Sequence, residues 1–280
     1  RALPLPALFP HPPTPPPPPL MQPDNTFTVA GFGSLLSARS AAATFPELSN
    51  FRVGRIGGWR RVFAHTTSVF HSRGVARGRE AASLSIEECD DSSDDPSSSS
   101  SSSSSSLIVT LFEIPYSESA AAALLEREHE FRFVAVRPLC RAGVLEEPHG
   151  AVACASWSDD AEYRRLRIRS DDEWRRRYSG VSAISGEAFS IDRVWDERDE
   201  AGAEGGGGGS GGDRGTILPC RAYLRHVVLA ARSLGEDAER CILDNTFLAD
   251  RRTTVREHLE RDPSVMLELP PAGLESRYGG

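Results

Sequence analysis

Phe27-Thr28-Val29-Ala30-Gly31-Phe32-Gly33-Ser34-Leu35-Leu36 reads as a short strand running into a tight glycine turn. Glycines let a backbone approach a ligand closely, and successive N–H groups at a helix start can cradle an anion. The turn is not a dinucleotide fingerprint, because Leu36 stands where a further glycine belongs. Taken alone, it is either a binding loop or a plain strand-to-helix connection.

Working outward, Leu35, Leu36, Ala41, Ala42 and Phe45 predict a first helix that ends before Pro46. Phe51–Ile56 and Trp59–Ala64 read as strands joined at Gly57-Gly58, a dipeptide suited to a hairpin turn or bulge. Ala82–Ile86 and Leu107–Ile114 are strand candidates flanking a serine tract. If they pair, the tract is a loop insertion, which closure entropy tolerates well. Ser117–Arg127 reads as a helix with Ser117 or Ser119 as N-cap, then Phe131–Leu139 and Val152–Trp157 as strands. Glu162–Tyr178 looks like one helix. After it, Tyr223–Leu234 carries an apolar face stopped by Gly235, and Glu236–Phe247 suggests another helix. Thr254-Val255-Arg256-Glu257 has the capping-box pattern. Strands dominate the first half and helices the end, so the class is α+β.

Of the 280 residues, three stretches are unsuited to a core. Residues 1–25 are proline-rich and are expected to be disordered. Residues 90–106 (acidic, then serine) and 201–215 (glycine-rich) read as disordered inserts. A single domain is expected over 26–262, followed by a C-terminal tail at 263–280. Arg1 stands where Met would begin a chain, and Met21 precedes the first patterned segment. The first 20 residues therefore read as upstream translation or as a transit-peptide remnant. A cytoplasmic location is expected in the first case and a plastid in the second.

The formal net charge is −8, and there is no lysine, so all 32 basic side chains are arginine. No basic footprint for nucleic acid stands out, and the arginines of Arg164–Arg177 alternate with acids as on a solvated helix face. No apolar run is long enough for a membrane span. The cysteines, Cys89, Cys140, Cys154, Cys220 and Cys241, form no CxxC pair, which argues against zinc and for reduced thiols. His65, His71 and His129 match no metal spacing, and Ser34 lacks the GxSxG elbow. A P-loop is ruled out by the missing lysine.

Two further segments carry chemistry. Leu124-Leu125-Glu126-Arg127-Glu128 lies where a helix gives way to a strand. A carboxylate there meets the negative end of the helix dipole, and burial beside Phe131 and Phe133 would raise its pKa further. Such a glutamate can act as a general base near neutral pH. The plainer alternative is a solvated glutamate at a mixed-charge helix end. Pro219-Cys220-Arg221-Ala222-Tyr223 opens a late helix, and Tyr223 is either a site hydroxyl or ordinary core packing.

In this order along the chain, the segments resemble the gamma-glutamyl cyclotransferase-like superfamily, in a plant- and alga-like branch with a longer C-terminal extension. Phe27–Leu35 resembles the family's first strand and its tyrosine/phenylalanine-glycine-serine loop. Arg55–Phe63 is similar to its second strand region, Leu124–Glu128 to the helix ending in a catalytic glutamate, and Pro219–Tyr223 to its proline-serine-x-x-tyrosine segment. Phe32 stands for the usual tyrosine and Cys220 for the serine, and His129-Glu130-Phe131 follow Glu128 where a glycine is usual.

The resemblance implies a small mixed β-barrel or sheet with surrounding helices and a helical C-terminal extension. It implies a metal-free, cofactor-free lyase or transferase of glutathione metabolism. The substrate's α-amine attacks its own γ-carbonyl, releasing 5-oxoproline and a free amine from a gamma-glutamyl amino acid, a gamma-glutamylamine or glutathione. On this reading Glu128 is the catalytic base, with Glu126 and Glu130 as register neighbours. Phe32, Gly33, Ser34, Leu35 and Tyr223 bind the small-molecule substrate. The oligomeric state stays open. Phe32 and the missing glycine motivate an alternative, a non-catalytic gamma-glutamyl ligand-binding or regulatory protein on the same scaffold.

Overall fold

A computed structural model describes residues 21–22, 24–89, 106–140, 150–195 and 217–280. The proline-rich, acidic–serine and glycine-rich stretches expected at 1–25, 90–106 and 201–215 lie, but for a few marginal residues, outside the described residues. The strands are β1 (Thr26–Gly31), β2 (Ser49–Gly57), β3 (Trp59–Thr66), β4 (Glu80–Glu88), β5 (Ser106–Pro115), β6 (Arg132–Val136), β7 (Leu139–Cys140), β8 (Ala151–Ala155), β9 (Ser179–Val181), β10 (Ala188–Ser190), β11 (Leu218–Pro219) and β12 (Thr246–Leu248). The helices are α1 (Ala38–Thr44), α2 (Ser68–Ser72), α3 (Glu118–Arg127), α4 (Asp160–Arg167), α5 (Asp171–Tyr178), α6 (Arg221–Leu234), α7 (Glu236–Asp244), α8 (Val255–Arg261) and α9 (Glu275–Tyr278).

The class is α+β. Among the described residues, ten strands form one mixed sheet, larger than the small sheet expected, in the order β12-β3-β4-β8-β1-β5-β2-β7, with β6 on β8 and β11 on β4. β1 lies at the centre, parallel to β8 and antiparallel to β5. These strands are buried along almost their whole length, which explains their unbroken apolar runs: helices cover what alternation would leave to water. α6 buries Tyr223, Leu224, Val227 and Val228 among others. Each such large side chain contributes roughly 1.5–3 kcal/mol.

Five expectations about connection are corrected. β2 and β3 do not form a hairpin: β2 pairs with β5 and β7, while β3 pairs with β4 and β12, so Gly57-Gly58 is a corner with Gly58 at φ 77°. β4 and β5, on either side of the serine tract, are not partners, since β8 and β1 lie between them. Glu162–Tyr178 is two helices, because Asp159 and Ser170 each cap one through a side-chain oxygen. The strand expected over Phe131–Leu139 breaks at Pro138 into β6 and β7. Finally α7 stops at Asp244, and Thr246–Leu248 runs as β12 parallel to β3.

Two residues of the segment expected as a tail at 263–280, Val265 and Tyr278, reach the core. A 3-10 helix at Pro263–Leu267 and then α9 bring Tyr278 to 3 % exposure. Its ring packs against Phe70, Tyr223 and His226 at centroid distances of 6.2, 6.5 and 6.2 Å.

Candidate active site

The turn after β1 is built from the inside. Thr110 Oγ1 donates to the carbonyl of Leu35 at 2.8 Å and reaches that of Gly31 at 3.3 Å. Arg61 Nε donates to the carbonyl of Phe32 at 2.9 Å. Leu36 N donates to the carbonyl of Gly33 at 3.0 Å, closing the 3-10 turn Ser34–Leu36. These bonds hold the loop's carbonyls and use the Leu36 N–H, while the Ser34 backbone is bonded to the Tyr223 hydroxyl.

α6 delivers Tyr223 to the same place. Its ring packs against Phe70 at 5.0 Å and Phe63 at 6.2 Å. Burial, then the Glu128 carboxylate, push its hydroxyl pKa up, while hydrogen bonds to the Ser34 backbone and the Ser83 side chain act against them. A Cβ added at Gly33 would sit 2.6 Å from the Tyr223 hydroxyl oxygen. Gly33→Ala must therefore move a buried, tethered tyrosine. A shift of about 1 Å can cost roughly 10²-fold in rate, so under the activity that the resemblance implies this variant is expected to lose turnover of that order while unfolding near the wild-type temperature. Parallel rate and melting measurements check it.

Opposite the turn, α3 ends at Glu128, whose N–H closes on Leu124 O at 2.9 Å. Its Oε1 lies 2.5 Å from Arg127 Nε, and the two side chains are only 13 % and 15 % exposed. Two residues on, Glu130 accepts a hydrogen bond from Thr67 Oγ1 at 2.9 Å. Burial pushes its pKa up to about 7, with the nearby Glu128 adding to this. Glu130, named in the sequence argument only as a register neighbour, is thus a buried carboxyl with a raised pKa. Arg127 supplies a cation at the helix end that helix-dipole reasoning alone did not include. Glu126 points elsewhere: it is 70 % exposed and paired with both terminal nitrogens of Arg177, at 3.0 and 3.1 Å.

A carboxyl whose folded pKa exceeds its unfolded value keeps a proton that the unfolded chain has released. Glu130 therefore contributes stability that is present below about pH 4.5 and lost as pH rises through about 7. Relative to Glu130→Gln, the wild type is expected to lose on the order of 3 kcal/mol across that window. Urea titrations of both proteins at several pH values check this, and a constant difference would contradict it.

One cavity of about 120 Å³ is lined by Phe32, Gly33, Ser34, Leu35, Glu128 and Tyr223 together. All six expected site residues meet there. Glu130, Arg127, Arg73, Arg277 and Tyr278 also line it. Sequence reasoning named Glu130 only as a neighbour and missed the arginines and Tyr278. For the arginines no local signal exists. For Tyr278, an aromatic in a polar C-terminal stretch was the available hint. Cys220 is fully buried and donates to the Val75 carbonyl at 3.4 Å, so it packs behind the site. His65 is buried and stacked on Trp195 at 4.3 Å, and burial depresses its pKa to about 3. Among the described residues no group of three or more His, Cys, Asp or Glu could hold a metal, and no helix is long and apolar enough to cross a membrane.

The sequence matches no family model and no curated protein. Solved gamma-glutamyl cyclotransferase structures do match this chain. One gamma-glutamyl cyclotransferase is 12% identical with a TM-score of 0.34, over 47% of this chain and 67% of its own. A yeast gamma-glutamyl cyclotransferase specific to glutathione is 13% identical with a TM-score of 0.37, over 79% of this chain and 97% of its own. An uncharacterized human protein is 11% identical with a TM-score of 0.40, over 85% and 97%. At TM-scores this low the likenesses assign no activity.

Proposed function

We propose that the protein is a gamma-glutamyl cyclotransferase. The observation that carries this reading is the single cavity shared by Glu128, the turn Gly33–Leu35 and the Tyr223 hydroxyl. The motif resemblance of these three segments, in chain order, supports it independently.

In the proposed reaction nucleophile and electrophile belong to one molecule, so the cavity's task is to hold a folded conformer. The substrate's α-amine, with an ordinary pKa of about 7.7–8.0, gives a proton to the Glu128 carboxylate. Its nitrogen bonds to the γ-carbonyl carbon, closing a five-membered ring, and N–H groups of the Gly33–Leu35 turn steady the oxyanion. The carbon–nitrogen bond to the departing amine then breaks as Glu128 returns the proton. Tyr223, tethered to the Ser34 backbone, aligns turn and substrate. The test is incubation of the purified protein with glutathione, gamma-glutamyl amino acids and gamma-glutamylamines, with 5-oxoproline detected by mass spectrometry. Ligand binding by calorimetry without 5-oxoproline would replace the enzyme with the non-catalytic ligand-binding alternative.

A further inference from the structure

Three guanidinium groups converge on the cavity from separate elements: Arg73 caps α2, Arg127 ends α3 and Arg277 lies in α9. Arg127 is occupied by Glu128 at 2.5 Å. Arg73 Nη1 donates to the Tyr278 hydroxyl at 3.1 Å, a neutral partner that leaves the rest of its fork unused. Among the described residues neither Arg73 nor Arg277 has a carboxylate within ion-pair distance. Both are half-buried. Burial, then the charges of Arg73 and Arg127, lower the pKa of Arg277 against smaller opposing effects of Tyr278 and Glu128, so the three cations feel one another. A half-buried pair of like charges facing a cavity is relieved by a bound anion.

A gamma-glutamyl substrate always carries one α-carboxylate, on its glutamyl moiety. Only some substrates carry a second carboxylate, on the departing amine. We propose that Arg73 and Arg277 receive that second carboxylate, making the cavity selective for gamma-glutamyl amino acids and peptides over gamma-glutamylamines. This rests on the cyclotransferase reading. It makes the Arg277 segment a specificity element: a planar guanidinium fork matches a carboxylate in two parallel bonds, and a carboxamide cannot replace the charge.

The experiment compares gamma-glutamylglycine with gamma-glutamylglycinamide, which differ only in that carboxylate. kcat/KM is read from 5-oxoproline release, and affinity is read by calorimetry on the Glu128→Gln variant, where no turnover is needed. The acid is expected to be favoured about ten- to a hundredfold, the range of one charge-assisted contact in a partly buried site. Arg277→Gln and Arg73→Gln should bring the acid/amide ratio toward one, and Arg277→Lys should restore part of it. Equal handling of acid and amide by the wild type, or a ratio unchanged in both glutamine variants, overturns the proposal. So does absence of binding to either compound. Turnover without preference removes the carboxylate site and leaves the activity. Preferential binding of the acid without 5-oxoproline removes the activity and keeps the site.

Discussion

Glu128→Gln is expected to leave a folded protein that releases 5-oxoproline about 10²–10⁴-fold more slowly, the usual worth of a general acid–base group. That loss is about 3–5 kcal/mol of barrier. Glutamine keeps the shape and can still face the turn, but it can neither take the amine's proton nor return it. The fold should hold, because the Arg127–Glu128 pair is local and still touches solvent, at 15 % and 13 % exposure. Circular dichroism melting checks the fold, and mass-spectrometric initial rates check the chemistry. Glu130→Gln is the necessary companion, since its carboxyl lines the same cavity and is held at about 7 by burial. If Glu128→Gln turns over normally and Glu130→Gln does not, the base sits two residues later. If both turn over normally, no carboxylate here is the base.

The second large effect concerns stability. Arg61→Met is expected to cost on the order of 3–5 kcal/mol. Arg61 is completely buried in β3, and its guanidinium donates to the carbonyls of Phe32 and Ile108 and to Cys241 Sγ. Replacing a buried ion pair by apolar groups can be neutral when both partners leave. Here the partners are peptide carbonyls, which stay and lose their donor. With a urea slope of about 2 kcal/mol per molar, the midpoint should fall by about 2 M. Because Phe32 O belongs to the turn that lines the cavity, the proposed turnover should fall as well. Arg61→Lys should recover only part of the stability, since an ammonium cannot span the acceptors as a fork does. An Arg61→Met midpoint equal to the wild type would refute this account.

Arg61 also marks where the sequence stopped being informative. Arg60 and Arg61 are neighbours on one strand and so point to opposite faces. Arg60 pairs outward with Glu87 at 2.6 Å, while Arg61 runs inward. Nothing in the two letters says which is which, because the answer depends on β4 and β5 arriving beside β3. The strand-and-turn from Phe27 to Leu36 was readable because its signals are local: apolar residues, then glycines. Ser117 at the start of α3 and the box at Thr254 were readable for the same reason, and both cap as expected. Ser170-Asp171-Asp172-Glu173 carried an equally local helix start that would have split Glu162–Tyr178. Strand partners were not readable. Gly57-Gly58 suits a hairpin and a corner equally, and only long-range pairing separates them. Glu128, Tyr223 and the turn lie far apart in sequence, and no single segment announces that they meet. The order of three short motifs suggested it, whereas Arg73 and Arg277 belong to no motif and could be found only in space.

The separation of β4 from β5 has a practical corollary for anyone trimming the chain. The ends that the tract joins flank the Gly57-Gly58 corner, since Cys89 N donates to the Gly58 carbonyl and Ser106 pairs with Gly57, and two spacings of roughly 4.8 Å plus one residue step put them up to about 13 Å apart. At about 3.3–3.6 Å per extended residue, a bridge needs some four residues merely to reach. Excising most of the polyserine run should therefore be harmless to folding, while grafting in a two-residue β-turn would pull the sheet apart at its middle.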